Sequence, residues 1–213
     1  MKLLLLSIFT FVLFAHSNAF SFDYNKKILM RKTLNHSLKN YEITTDIDYR
    51  NRENKLNYRH YDAGLKRNFA DNWSISLKYR TIYKKKKTEW DLAEQRPQFQ
   101  ITKSMHSDFV KLITRLRQEY RIRDGDDVMR TRFRLRLISN KKIAGIKPFI
   151  SNEYFYDPEI SRFNKNITDF GISLPKIAIM SPSISYRMTR SYDEIIHKWE
   201  DESLILFKMK INW

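Results

Sequence analysis

The sequence predicts an all-β chain: an antiparallel up-and-down β-barrel of the transmembrane type, with ten strands, or twelve if the N-terminal region forms a full hairpin. Three observations carry that expectation. Segments in which apolar and polar residues alternate fill residues 41–213, and a period of two is the periodicity of a strand. Those segments are about 9–11 residues or longer, the length a tilted strand needs to cross a bilayer, whereas strands of soluble sandwiches run to about 5–6. Glycine and proline are scarce, at 4 and 5, where a sandwich would need many turn residues.

The elements follow in chain order. The stretch MKLLLLSIFTFVLFAHSNAFS has a basic Lys2, an apolar run from Leu3 to Phe14 and small residues at Ser17 and Ala19. That pattern reads as a secretory signal peptide over 1–19, removed after Ala19, because the run is too short to span a bilayer as a helix. Residues 20–213 are then one domain with no linker. The chain carries 40 Lys and Arg against 24 Asp and Glu, for +16. Loss of Lys2 with the signal leaves 39 − 24 = +15. Such a charge raises the prior for nucleic acid, but export removes the chain from it, so no nucleic-acid partner is expected. With Cys 0, a disulfide scaffold and cysteine-based zinc sites are excluded.

KILMRKTLNHS, residues 27–37, is a weak strand candidate that would add one to the ten. YEITTDIDYR, 41–50, sorts Tyr41, Ile43, Thr45, Ile47 and Tyr49 from Glu42, Thr44, Asp46, Asp48 and Arg50. After a weaker strand at 55–68, WSISLKYRTIY, 73–83, places Trp73, Ile75, Leu77, Tyr79, Thr81 and Tyr83 on one face. Strands are expected next at 94–104, 110–123, 128–138, 146–156, 164–174 and 179–190. Polar turn clusters such as Asp71-Asn72, Asp124-Gly125-Asp126 and Asp157-Pro158 separate them. The chain closes on ILFKMKINW, where Ile205, Phe207, Met209, Ile211 and Trp213 share a face. A terminal aromatic on such a strand is what barrel-assembly machinery would engage. With both ends on the periplasmic side the strand number would be even. KKKKTEWDLAEQ, YDPEISRFNK and RSYDEIIHKWED would then be long loops on the extracellular side.

The stretch VMRTRFRLRLI, 128–138, sets the chemistry. Arg130, Arg132, Arg134 and Arg136 alternate with Met129, Thr131, Phe133, Leu135 and Leu137. A lipid-facing arginine near mid-membrane costs about 2–4 kcal/mol, so the arginines are assigned to the lumen and the apolar residues to lipid. A simple hairpin at Asp124–Asp127 sets Arg123 opposite Val128, Arg121 opposite Arg130, Glu119 opposite Arg132, Arg117 opposite Arg134 and Arg115 opposite Arg136. Like charges directly opposite are destabilising, so acids must compensate. Glu94 and Glu153 on flanking strands are the first candidates, and Glu42, Asp46, Asp48 and Asp169 would reach across a narrow barrel. The lumen-lining set is therefore Glu94, Arg96, Arg115, Arg117, Glu119, Arg121, Arg130, Arg132, Arg134, Arg136 and Glu153. It forms either a structural plug of ion pairs or a basic constriction that passes anions or phosphates.

No enzyme, cofactor or metal is expected. His36, His60, His106 and His197 sit in no spacing that carries a mechanism. His197 beside Asp193 and Glu194 is the cluster an alternative, a rim enzyme acting on lipid, would use. A further alternative is a secreted basic binding protein.

Four stretches carry a resemblance: EQRPQFQIT with Glu94, Arg96 and Pro97; RLRQEYRIRDGDDVMRTRFRLRL with Arg115, Arg117, Glu119, Tyr120 and Arg121; PFISNEYFYD with Pro148, Glu153 and Phe155; and FNKNITDFGI with Phe163, Asn166 and Gly171. Together they resemble the bacterial family catalogued as domain of unknown function 2490, strongest over 89–175. The resemblance implies an exported β-barrel and no reaction. One departure stands out: the family tends to carry Arg after that Asn, where this chain has Ile167. The expectation is an uncharacterised, passive outer-membrane barrel of a Gram-negative bacterium. Its partners are outer-membrane lipid and lipopolysaccharide, the assembly machinery through Trp213, and small anions if the lumen is open.

Overall fold

A computed structural model describes residues 27–38, 41–52, 55–86, 89–125, 127–193 and 196–212. The stretch 1–19 expected as a signal peptide, Trp213 and Glu194 lie outside them. The described chain is built of β1 (Lys27–Leu38), β2 (Tyr41–Arg52), β3 (Lys55–Ala70), β4 (Trp73–Lys86), β5 (Glu89–His106) and β6 (Val110–Arg121). There follow β7 (Val128–Ser139), β8 (Lys147–Asp157), β9 (Arg162–Ser173), β10 (Met180–Asp193) and β11 (Lys198–Asn212).

Strands β2 to β11 form the ten-stranded antiparallel, up-and-down curled sheet that the alternation predicts, each pairing with its sequence neighbours. β1, the weak candidate, is an eleventh strand. It pairs antiparallel with β2 and parallel with β11, from Lys27 against Leu204 to Asn35 against Asn212, and this closes the barrel. The expectation of an even number therefore fails among the described residues: a parallel seam places Lys27 and Asn212 at opposite ends. Closure satisfies the edges that an open sheet would leave unpaired.

Strand ends fall within three residues of the sequence reading, with two exceptions. β5 begins at Glu89, not near 94, and β11 begins at Lys198, not at 205. The three segments expected as long loops do lie at one end of the barrel. They are mostly strand, however, as hairpins β4–β5, β8–β9 and β10–β11 turned by few residues. The opposite end carries the longer connections 139–147 and 173–180. Each is pinned by a small bridge, Ile143 with Ile146 and Ile177 with Met180, and turned by a left-handed residue, Ala144 (φ 50°) and Ala178 (φ 52°).

The alternation resolves into two unlike faces. Among the described residues, six apolar side chains are buried: Leu204, Leu206, Ile82, Val128, Phe149 and Phe155. Nineteen polar or charged ones are buried with them, including Asp48, His60, Arg80, Glu119 and Arg132. Large apolar residues point the other way and are exposed, as at Leu77 (65%), Phe99, Leu116, Phe133, Leu135, Ile150, Phe170 and Met188. This reverses the usual distribution for a protein in water.

Candidate functional site

The inner wall of β5 to β8 holds the eleven charged residues singled out in the sequence. Inward alternation brings Glu94 and Arg96 from β5, Arg115, Arg117, Glu119 and Arg121 from β6, Arg130, Arg132, Arg134 and Arg136 from β7, and Glu153 from β8 into one band. Glu94, Arg96, Arg115, Arg117, Glu119, Arg132 and Glu153 are buried, Glu119 with no exposed area; Arg121, Arg130, Arg134 and Arg136 are half-buried.

The β6–β7 register differs from the simple hairpin. Arg121 stands opposite Val128, Glu119 opposite Arg130, Arg117 opposite Arg132, Arg115 opposite Arg134 and Ile113 opposite Arg136. The reason is that the connection is wider than a tight turn. Ile122 leaves β7 and exchanges both backbone hydrogen bonds with Gln95 of β5 (2.9 Å each), while Asp127 accepts from the Arg123 N–H (3.2 Å) and the Tyr120 hydroxyl (2.9 Å). The slip is two residues, so every side chain keeps its face. It leaves two like-charge pairs directly opposite, Arg117/Arg132 and Arg115/Arg134, in place of three.

Carboxylates knit the band together. Arg121 donates to both oxygens of Glu94 (2.8 and 3.0 Å), and Arg96 donates to Glu94 (2.7 Å) and to Glu119 (3.4 Å). Glu119 also accepts from Arg130 (2.6 and 3.1 Å) and Arg132 (2.6 Å), with Arg117 at 3.5 Å. Arg132 continues to Glu153 through a two-pronged contact (3.1 and 2.9 Å), and Arg115 donates to Glu153 as well (2.5 Å). A continuous chain Arg121–Glu94–Arg96–Glu119–Arg132–Glu153–Arg115 thus runs along the inner wall. Forked guanidinium–carboxylate contacts of this kind fix orientation as well as charge. Two inward aromatics complete it: the guanidinium of Arg132 lies 4.4 Å from the Phe155 ring centre and that of Arg136 lies 4.0 Å from Phe149.

Other ion pairs surround the band. Arg80 grips Asp62 (2.7 and 3.0 Å), and Lys78 lies between Asp62 (3.3 Å) and Asp46 (3.5 Å). Gly64 makes that possible, since a Cβ there would meet the Lys78 side chain at 2.4 Å. Asp169 is held by Arg187 (2.6 and 2.9 Å) and Lys208 (3.8 Å), and Glu42 by Lys66 (2.9 Å). Near the opposite strands, buried His60 lies 3.9 Å from Asp48 and 3.1 Å from the Tyr58 hydroxyl. Sequence reasoning missed Tyr58, His60 and Asp62, although their alternation in YRHYD was the available signal. His197 sits in the β10–β11 turn, 3.3 Å from the Tyr192 hydroxyl, and Asp193 accepts from the Ile196 N–H instead (3.2 Å).

Ile167, at the position where an arginine was noted as usual, faces inward directly opposite Glu153. No curated protein and no solved structure matches the chain significantly. Residues 27–190, which include every strand of the charged band, match the family described as protein of unknown function (DUF2490), and the chain belongs to that family.

Proposed function

We propose that this protein is a passive barrel of the Gram-negative outer membrane whose interior is closed by the arginine–carboxylate lattice. The observation that carries the reading is the inverted distribution of side chains: among the described residues, nineteen buried polar ones against six buried apolar ones, inside a wall whose outer face is apolar and exposed. Soluble monomers rarely expose apolar patches beyond a few hundred Å², whereas a bilayer demands such a face and a closed hydrogen-bonded wall. On β4 the outward run starts at Trp73 and reaches Tyr83, ten residues on. At about 3.3 Å per residue and a tilt of 35–45°, that span is about 25 Å high, the height of the apolar band of an outer-membrane barrel with an aromatic at each edge. Cations stack on aromatics near both edges: Arg59 on Trp90 (4.3 Å) at one, Lys103 on Trp73 (4.9 Å) and Arg67 on Tyr41 (5.6 Å) at the other. That suits contact with lipid and lipopolysaccharide headgroups.

Closure is supported by Glu119, which has no exposed area and draws in Arg96, Arg117, Arg130 and Arg132 from three strands. A second reading, an anion-selective passage, is favoured by the local charge: eight arginines (96, 115, 117, 121, 130, 132, 134, 136) against three glutamates (94, 119, 153), 8 − 3 = +5. Planar-bilayer recording of the purified mature chain decides between them. The closed barrel gives no stable conductance. Stable anion-selective currents replace closure by the passage, and cation-selective currents contradict both.

A further inference from the structure

The surplus of positive charge is concentrated on β7. Arg134 is flanked by Arg115 on β6 and Glu153 on β8, and Arg136 by Ile113 and Ser151. Their nearest carboxylates are already engaged. Glu153 accepts from Arg132 and Arg115, and Asp169, opposite Ser151 on β9, accepts from Arg187 with Lys208 nearby. The Nε atoms of Arg115, Arg134 and Arg136 are buried without a hydrogen-bond partner. Like charges packed together and unpaired donors in a low-dielectric interior are both costly, and a buried cation persists only with a counter-charge. Among the described residues, the carboxylates beside them, Glu153 and Asp169, are already taken by other donors. Phe149 holds the Arg136 guanidinium in place at 4.0 Å, and its ring fits because residue 171 is glycine: a Cβ there would meet the ring at 2.5 Å.

We infer that Arg134 and Arg136, with Arg115 and the Ser151 hydroxyl, hold a phosphate-class oxyanion inside the barrel, between the ion pairs of Glu153 and Asp169. A tetrahedral oxyanion supplies what the site lacks: more than one negative charge, and several acceptor oxygens spaced to match guanidinium donors. The site deepens the reading of a charged interior and needs neither the membrane nor closure. A barrel that conducts would still bind, and one that does not bind would still be closed.

The test uses the full mature chain folded in detergent micelles in phosphate-free buffer. Titration calorimetry with inorganic phosphate is expected to show saturable binding at one site. Arg134→Gln and Arg136→Gln each weaken it at least tenfold, and Arg162→Gln, on the exposed end of β9, does not. Thermal unfolding separates a lost site from a lost fold. Phosphate raises the midpoint of the unmodified chain, whereas Arg134→Gln is more stable than the unmodified chain without phosphate and does not respond to it. If that variant does not fold, Arg136→Gln and Ser151→Ala are read in the same way. Native mass spectrometry of chain extracted from membranes tells the source: an adduct of phosphate mass means a free anion, and one of phospholipid mass means a headgroup. No saturable binding, or binding unchanged in the Arg134 and Arg136 variants, overturns the site.

Discussion

At Glu119 the sum of local interactions depends on one carboxylate. Four arginines from β5, β6 and β7 lie within 3.5 Å of its oxygens, and it has no exposed area. Removing one partner of a buried pair leaves the others uncompensated, at about 3–5 kcal/mol. Glu119→Gln keeps the shape and deletes the charge, so it is expected to destabilise the folded barrel by that order. Glu159→Gln, at an exposed turn, is expected to shift it by no more than about 0.5 kcal/mol. Urea unfolding of the two variants in micelles reads the difference, and equal midpoints would count against the lattice. That Glu119 belongs with the arginines was legible in its spacing, since residues two apart share a face. Which arginine it meets was not. Register depends on how residues 122–127 leave the strand, and there the Gln95–Ile122 bridge and the Asp127 contacts outweigh the simplest turn. Phe149 and Phe155 were missed as partners because apolar residues at inward positions look, in sequence, like interruptions of the pattern.

The seam between β5 and β6 shows what a single residue does to an element. The ladder runs from Gln98/Glu119 to His106/Lys111, and the Gln95–Ile122 bridge stands alone beyond a gap at Arg96 and Pro97. Proline has no N–H to give to the ladder. On the outer face beside the gap lies a depression of about 510 Å³ lined by Tyr79, Pro97, Phe99, Tyr120 and Met129. Pro97→Thr supplies at position 97 an N–H that faces Tyr120 across the gap, and is expected to slow amide exchange across Tyr120–Ile122 in hydrogen-exchange mass spectrometry, as one added backbone hydrogen bond is worth about 1 kcal/mol. Unchanged exchange would mean that the gap is held open by something other than the missing donor. The strand pattern itself was readable wherever the two faces meet different surroundings. It failed at Glu89–Ala93, where a bulge at Ala93 shifts the alternation of Glu89 and Asp91 with Trp90 and Leu92 out of phase with the rest of the strand, and at Lys198–Ser203, which is charged on both faces.

For the whole molecule, length, alternation and low glycine content were enough to predict a closed up-and-down sheet, because a barrel is the one way to pair every strand edge. The parallel β1–β11 seam was not legible: no local pattern says which direction a first strand runs beside the last. The proposed placement in a membrane rests on which side of the wall meets hydrocarbon, and β7 is the strand on which to ask. The native chain has Cys 0, so single cysteines introduced at each position from 131 to 137 carry an environment-sensitive fluorophore without background. In vesicles of brominated phospholipid, strong quenching is expected at Thr131, Phe133, Leu135 and Leu137 and weak quenching at Arg132, Arg134 and Arg136. Uniformly weak quenching along the strand would contradict the proposed membrane barrel.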